Sequence, residues 1–132
     1  MKIIGIGVDI VENNRFKKLI KKKRFISRIC SPKEINNFKK KNNKILYLSK
    51  RFSAKEAFVK ALGSGFRNKL CFNDISILND KRGKPYFLFN QKIKDILKNK
   101  HKLIKFKAHL SLSDEKKYSI SYVILQKIKW KK

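Results

Sequence analysis

The order of hydrophobic and polar residues predicts strands at both ends of the chain. Residues 2–10 are apolar, rich in β-branched side chains and interrupted by two glycines, which indicates a buried strand. Two further β-rich runs lie near residues 103–113 and 118–128, with a polar turn at 113–117 between them. In the last run alternate residues face opposite sides: Ser121, Val123 and Leu125 on one, and Ile120, Tyr122, Ile124 and Gln126 on the other.

Helical spacing dominates the first half of the chain after this strand. From Asn13 to about Ile29 the apolar positions 16, 19, 20 and 25 suit one helix with lysines on its solvent-exposed face. Residues 31–34 (Ser-Pro-Lys-Glu) form a capping signature, which predicts a short helix through about Lys40. A longer helix should run from about Lys44 to Leu62, where Gly63 supplies a left-handed turn.

The second half mixes short strands with one more helix. Residues 74–78 and 86–89 look like strands joined by the segment 79–85, and residues 91–100 form a basic amphipathic helix. Helices interspersed with hairpins indicate an α+β fold with a mostly antiparallel sheet. A length of 132 residues is typical of a single domain.

Localisation and redox state follow from what the chain lacks. No apolar run approaches the roughly 20 residues of a membrane span, and the first residues show no signal-peptide pattern. Cys30 and Cys71 have neither CxxC nor Cys/His metal spacing, so we expect reduced thiols. These features favour a cytoplasmic protein that does not bind membranes.

The net charge of +27 has two competing explanations. A basic surface binds nucleic-acid phosphates without sequence preference. However, Lys, Ile and Asn, all encoded by A/T-rich codons, make up 58 of the 132 residues, so genome composition is the favoured explanation for most of the lysine. A/T-rich genome composition does not account for the six arginines in the same way. They are better candidates for specific contacts, because the guanidinium is a rigid bidentate donor.

Two carboxylates in this cationic background are candidates for a metal site. Asp9 ends an apolar run, and Glu56 lies within the long helix, with basic residues at 51, 55 and 60. Alternatively, Asp9 is an ordinary strand-end aspartate, and Glu56 with Lys60 is an ordinary surface pair of a helix. Carboxylates beside cations suit magnesium and a phosphorylated ligand better than zinc.

The glycine and histidine patterns are weaker indicators of a functional site than the two carboxylates. Gly5-Ile6-Gly7 lacks the third glycine of a dinucleotide site, and residues 63–70 lack both the glycine before Lys69 and the Ser/Thr after it that a Walker loop requires. Backbone amides at 63–65 can nonetheless approach a phosphate. His109 lies in a strand and is either structural or functional, whereas His101 should be a surface residue.

Four motifs occur in one order: residues 5–10 (GIGVDI), the helix with Arg51, Lys55-Glu56-Ala57 and Lys60-Ala61, Gly83-Lys84-Pro85, and His109-Leu110-Ser111-Leu112-Ser113. Together they resemble the holo-[acyl-carrier-protein] synthases, the small bacterial type of 4′-phosphopantetheinyl transferase. The resemblance spans nearly the whole chain. It implies one transferase domain over residues 1–132 and transfer of 4′-phosphopantetheine from coenzyme A to a serine of apo acyl carrier protein, in fatty acid biosynthesis.

The resemblance also assigns roles to matched positions. Asp9 and Glu56 would hold magnesium, and Asp9, Glu56 and Lys60 would be the catalytic residues. Coenzyme A contacts are implied at Arg51, Lys60, Gly63, Gly65, Lys84, Pro85 and His109. The acidic carrier protein would dock on Arg15, Leu19, Arg24, Phe25 and Arg28.

The family further implies a homotrimer with active sites between subunits, so that residues 83–85 would serve a neighbouring site. Asp114 stands where many family members carry His, and we assign it no role. The alternative function is a small basic RNA- or ribosome-binding protein without catalysis. That alternative leaves Asp9, Glu56 and the 83–85 segment unexplained and lacks the aromatic pattern of single-strand binders.

Overall fold

The computed structural model describes residues 1–63 and 72–128. Its strands are β1 (Lys2–Glu12), β2 (Ile75–Asn79), β3 (Pro85–Phe89), β4 (Phe106–Asp114) and β5 (Tyr118–Lys127). Its α-helices are α1 (Lys23–Ile29), α2 (Pro32–Lys40), α3 (Lys44–Leu62) and α4 (Gln91–His101). Short 3₁₀ turns cover Asn13–Phe16, Leu19–Lys21 and Phe72–Asp74. None of the helices in these ranges has the length and hydrophobicity needed to cross a membrane.

The described strands form two antiparallel sheets, as the α+β prediction requires. β5 is the central strand of a three-stranded sheet in the order β1-β5-β4, and β2 pairs with β3 as a hairpin. The register aligns Asp9 with Ser121 and Ser121 with Leu112. Side chains of these three positions therefore share the inner face of the sheet, which packs on α3.

Two glycines let α3 lie against β1 at backbone distance. A Cβ added to Gly7 would stand 1.8 Å from the carbonyl oxygen of Ala57, and one added to Gly5 would stand 1.7 Å from that of Ala61. Both positions face the helix, so only glycine leaves room for it. This close contact fixes the depth at which the long helix sits over the strand that carries Asp9.

A buried ion pair joins the helices to the hairpin. The Lys55 ammonium donates to the Glu34 carboxylate and to the carbonyl of Ile29, at the end of α1. The same carboxylate accepts the backbone N–H of Ser31 and of Ile77, each at 2.9 Å. Both charged side chains are fully buried, so the pair locks α1, α2, α3 and β2 together.

The predicted helix from Asn13 to Ile29 is wrong as a single element. Two 3₁₀ turns come first, and α1 begins only at Lys23, after Lys22 adopts an extended conformation. The five-residue step from Ile20 to Phe25 does not fit a 3.6-residue period, which explains the break. Other helix boundaries are confirmed: Ser31 and Glu34 form the capping box, and Gly63 ends α3 with φ of +78°.

Candidate active site

Asp9 and Lys60 meet where β1 runs beneath α3. The Lys60 ammonium donates to Asp9 Oδ1 at 3.0 Å and to the carbonyl of Val8 at 3.1 Å. The Asp9 side chain is only 12% exposed, whereas that of Lys60 is 54% exposed. Asp9 Oδ2 is buried and has no hydrogen-bond partner within residues 1–63 and 72–128. An unpaired buried carboxylate oxygen is costly, so this atom is suited to receive a cation.

Glu56 lies one helical turn before Lys60 and feels the charge of Asp9. Burial raises the pKa of the Glu56 carboxyl, and the nearby Asp9 carboxylate raises it further, while Lys60 and Arg15 act in the opposite direction. The structure therefore brings together the three residues that the sequence named as catalytic. Two carboxylates that destabilise each other's charge form a site in which a divalent cation fits.

Small hydroxyl side chains hold Asp9 in place, and the sequence interpretation missed them. Ser53 Oγ donates to the carbonyl of Asp9 at 3.2 Å, and Ser121 Oγ donates to Ser53 Oγ at 2.7 Å. One turn earlier, Ser49 and Ser119 both donate to Asn13 Oδ1. A signal existed in the sequence: the serines are four apart on the helix and two apart on the strand, so each pair lies on one face.

No group of three or more His, Cys, Asp or Glu side chains in the described ranges has the arrangement of a complete protein metal site. Asp9 and Glu56 supply two carboxylates and no more. Magnesium accepts this donor set, because it keeps several water and phosphate ligands, whereas a structural zinc site requires four protein ligands. The residues present therefore fit magnesium.

Arg51, Gly83 and Pro85 line one cavity of about 530 Å³ on the other side of α3. Gly83 and Pro85 are in its wall, together with Tyr47, Asn79 and Arg51. Lys50 also lines this cavity, and its ammonium lies 3.2 Å from Asp114 Oδ1. Asp114, unassigned from the sequence, is thus a partner of a cavity lysine.

His109 lies away from the carboxylate pair. It pairs with Ile124 in the register of the sheet. Because side chains alternate along a strand and His109 is three positions before Leu112, the His109 side chain projects from the face opposite Leu112 and Asp9. Its Nε2 is 3.0 Å from Gln126 Oε1. His109 and Lys84 line a second, larger cavity of about 810 Å³ between β3, α4 and β4. The single chain therefore does not bring His109 to Asp9.

The positions named for carrier docking lie along the first turns and α1. Arg15, Arg24 and Arg28 are exposed, whereas Leu19 and Phe25 are half-buried against the core. The Arg15 guanidinium stands 5.5 Å from the ring centroid of Phe52, on the side of α3 that also carries Glu56. Arg15 is thus a predicted docking position that lies on the same side of α3 as Glu56.

Two of the residues singled out in the sequence lie outside the residues that the structure describes. Gly63 is exposed at the end of α3, and Gly65 lies outside the described residues, as does Cys71. Cys30 is a free buried thiol, and burial raises its pKa to about 12. His101 is not the surface residue that the sequence suggested: it is half-buried, its Nε2 lacks a partner among the described residues, and burial lowers its pKa.

The fold and the site define a small α+β protein with a cation-competent carboxylate pair and nearby basic cavities. The chain belongs to the 4′-phosphopantetheinyl transferase superfamily, whose family model matches residues 5–123. The holo-[acyl-carrier-protein] synthase of Pelagibacter ubique (strain HTCC1062) is 58% identical over 127 residues, 96% of this chain and 99% of that protein. The resemblance drawn from the four sequence motifs is therefore confirmed.

Solved structures agree with this assignment. The holo-[acyl-carrier-protein] synthase of Neisseria meningitidis has a TM-score of 0.84 and 37% identity, covering 96% of this chain and all of that chain. The holo-(acyl-carrier-protein) synthase of Bacillus anthracis str. Ames, in complex with CoA (3′,5′-ADP), has a TM-score of 0.79 and 33% identity, covering 96% and 98%. The predicted fold class is confirmed.

Proposed function

We propose that this protein transfers 4′-phosphopantetheine from coenzyme A to a serine of apo acyl carrier protein. The products are holo acyl carrier protein, for fatty acid biosynthesis, and adenosine 3′,5′-bisphosphate. Family membership and the relatives named above support this activity. The observation that carries it is that Lys60 contacts Asp9, while Glu56, one helical turn before Lys60, is close enough for the Asp9 carboxylate to raise its pKa.

Asp9 and Glu56 would hold magnesium. The support is the unpartnered Oδ2 of Asp9 and the mutual repulsion of the two carboxylates, which a cation would relieve. A bound magnesium ion would neutralise the charge of the pyrophosphate and orient it. The Lys60 ammonium is largely exposed at the mouth of the site, so it would contact the same phosphates.

Proton removal would fall to Glu56 or to a water molecule that it activates. In the reaction the serine oxygen forms a bond to the β-phosphorus while the bond from that phosphorus to the bridging oxygen of the pyrophosphate breaks. The serine proton must leave, and a carboxylate beside the attacking oxygen can accept it directly or through one water molecule. The leaving group departs as adenosine 3′,5′-bisphosphate, which retains the electron pair of the broken bond.

The nucleotide of coenzyme A would bind at the basic cavities, with Arg51 and Pro85 in one and Lys84 and His109 in the other. Gly63 and Gly65, at and after the end of α3, would approach the phosphates through their backbone amides. The cavity beside Arg51 also contains Lys41 and Lys50, which matches a ligand with several phosphates.

Assembly into a homotrimer would complete each site. The outer face of the three-stranded sheet is apolar and solvent-exposed, with Ile6, Val8, Ile10, Ile120 and Tyr122 each between 40% and 61% exposed. Such a continuous patch on a small protein is typical of an interface. His109 projects from this same face, so it would reach the active site of a neighbouring subunit rather than its own.

The acidic carrier protein would dock on the exposed arginines 15, 24 and 28, with Leu19 and Phe25 as apolar contacts. The charge of Arg15 acts on the Glu56 carboxyl, so docking there would bring the carrier serine towards the carboxylate pair. Opposite charges steer such an encounter and set its rate. The free Cys30 thiol agrees with a cytoplasmic location, where thiols stay reduced. We expect no binding to membranes and none to a specific nucleic acid.

Intact-mass analysis tests the activity directly. Apo acyl carrier protein, incubated with this protein, coenzyme A and magnesium, should gain the mass of one phosphopantetheine group. The control replaces the carrier serine by alanine and should gain nothing. If wild-type carrier gains no mass while the protein shifts a labelled RNA at physiological salt, the noncatalytic RNA-binding alternative is favoured instead.

A further inference from the structure

Arg51 is held by protein groups on two sides, although it was assigned to the nucleotide. It is 6% exposed, and its guanidinium lies 3.9 Å from the ring centroid of Tyr47. Its Nη2 donates to Asn79 Oδ1 at 2.9 Å. The guanidinium thus fixes the orientation of the Asn79 amide, because a planar donor on an aromatic ring has little freedom to turn.

Asn79 also contacts the segment with the Gly-Lys-Pro motif at residues 83–85. Its Nδ2 donates to the carbonyl of Gly83 at 2.9 Å. The adjacent Asp80 Oδ1 accepts the backbone N–H of Arg82 at 2.8 Å and of Lys84 at 2.9 Å. Two neighbouring side chains at the end of β2 therefore hold the turn before β3 from inside.

The turn includes a residue that favours glycine. Gly83 has φ of +84°, and its N–H donates to the carbonyl of Asp80 at 3.0 Å. Glycine permits this conformation but does not enforce it, since its backbone is free in the unfolded turn. The amide of Asn79 is the side-chain group that ties the Gly83 carbonyl to the long helix through Arg51.

Both walls of the 530 Å³ cavity depend on this connection. Arg51 and Tyr47 form the helix wall, and Gly83 and Pro85 form the opposite wall, with Asn79 between them. A cavity that is fixed before its ligand arrives binds more tightly, because less conformational entropy is lost on binding.

We propose that Asn79 is a positioning residue for coenzyme A: it ties the turn at residues 80–84 to Arg51 and thereby preorganises the nucleotide cavity. This inference rests on the proposed function, and adds to it a residue that the sequence motifs did not single out. Asn79 acts through Arg51 and Gly83 and has no part in the transfer of the phosphopantetheine group.

Two substitutions of Asn79 test its hydrogen bonds to Arg51 and to Gly83 separately and together. Asn79→Asp keeps an acceptor for Arg51 but sets a second oxygen against the Gly83 carbonyl, and Asn79→Ala removes both contacts. The matched control is Lys81→Ala, an exposed side chain on the same turn. Steady-state transfer is measured with coenzyme A and with apo acyl carrier protein varied in turn, and the Kd of coenzyme A is measured by calorimetry.

We expect both Asn79 variants to raise the KM and the Kd of coenzyme A about three- to tenfold, the effect of losing one or two hydrogen bonds. The KM for the carrier protein and kcat should stay close to wild type, and the melting temperature should fall only by the few degrees that one or two hydrogen bonds account for. Lys81→Ala should change none of them. Unchanged coenzyme A binding in both variants would overturn the positioning role. Equal changes in the KM of both substrates, together with a lower melting temperature, would also overturn it.

The same experiment distinguishes failure of the proposed function. A wild-type protein that transfers nothing and binds no coenzyme A contradicts the function itself. A wild-type protein that transfers normally, with Asn79 variants that match it, contradicts only the role of Asn79.

Discussion

The Lys60 ammonium lies 3.0 Å from Asp9 Oδ1 and therefore joins the last turn of helix α3 to the strand beneath it. This contact occupies one oxygen of Asp9 and leaves the other buried and unpaired. Glu56, one turn away, has a pKa raised by burial and by that same aspartate. The geometry thus places two carboxylates, which would share a bound cation, next to an exposed lysine.

Replacing either carboxylate should nearly abolish transfer. We expect Asp9→Ala and Glu56→Gln each to lower kcat/KM by at least about 100-fold, the order seen when a charge-stabilising group is removed. Both variants should remain folded by circular dichroism. The control is Glu12→Gln, an exposed carboxylate on the same strand, which should retain activity. Full activity in either site variant would refute the metal assignment.

Ligand-induced stabilisation gives a readout of the same site without catalysis. Magnesium with coenzyme A should raise the melting temperature of the wild-type protein, because a ligand that binds the folded state stabilises it. The shift should disappear with excess EDTA and be much smaller in Asp9→Ala. An equal shift in wild type and Asp9→Ala would place the metal elsewhere.

Gly7→Ala should damage both stability and activity. Its new methyl group would stand 1.8 Å from the carbonyl oxygen of Ala57, so β1 and α3 must separate. We expect a loss of about 1–3 kcal/mol or more in the free energy of unfolding by urea, as in other overpacked sites. Because Asp9 lies two residues along, transfer should fall as well. Lys2→Ala, exposed on the same strand, is the control and should change neither.

The buried pair of Lys55 and Glu34 should be a strong determinant of stability. Lys55→Met leaves a buried carboxylate without its cation, and we expect a cost of about 3–5 kcal/mol in the free energy of unfolding. The double variant Lys55→Met/Glu34→Gln should recover part of this loss. The pair of Lys92 and Asp74, in which the lysine side chain is 63% exposed, is the comparison: Lys92→Met should cost less than about 1 kcal/mol. Similar losses in the two pairs would contradict the role assigned to burial.

Charge reversal on α1 should affect the carrier protein and not coenzyme A. Arg24→Glu should raise the KM for acyl carrier protein about tenfold or more, with a strong dependence on salt, because steering by opposite charges is lost. The KM for coenzyme A should stay within about twofold. Lys100→Glu makes the same charge change on α4 and serves as the control. Equal effects on both substrates would argue against docking at α1.

The sequence by itself determined the local elements and the identity of the key residues. The capping box at Ser31, the left-handed end at Gly63 and the alternation along β5 depend on neighbouring residues, so pattern alone predicted them. Asp9 and Glu56 were recognisable because carboxylates are rare in so basic a chain. The break at Lys22 was missed, because lysine favours helix and only the five-residue step from Ile20 to Phe25 interrupts the helical period there.

Only the tertiary structure decided which of these residues meet. Asp9 and Lys60 are 51 positions apart, and their contact depends on how deeply α3 sits over Gly5 and Gly7. The same packing sets His109 on the opposite face of the sheet and ties Asn79 to Arg51. Local sequence fixes backbone preference within a few residues, whereas distances between elements arise from close packing of the whole core.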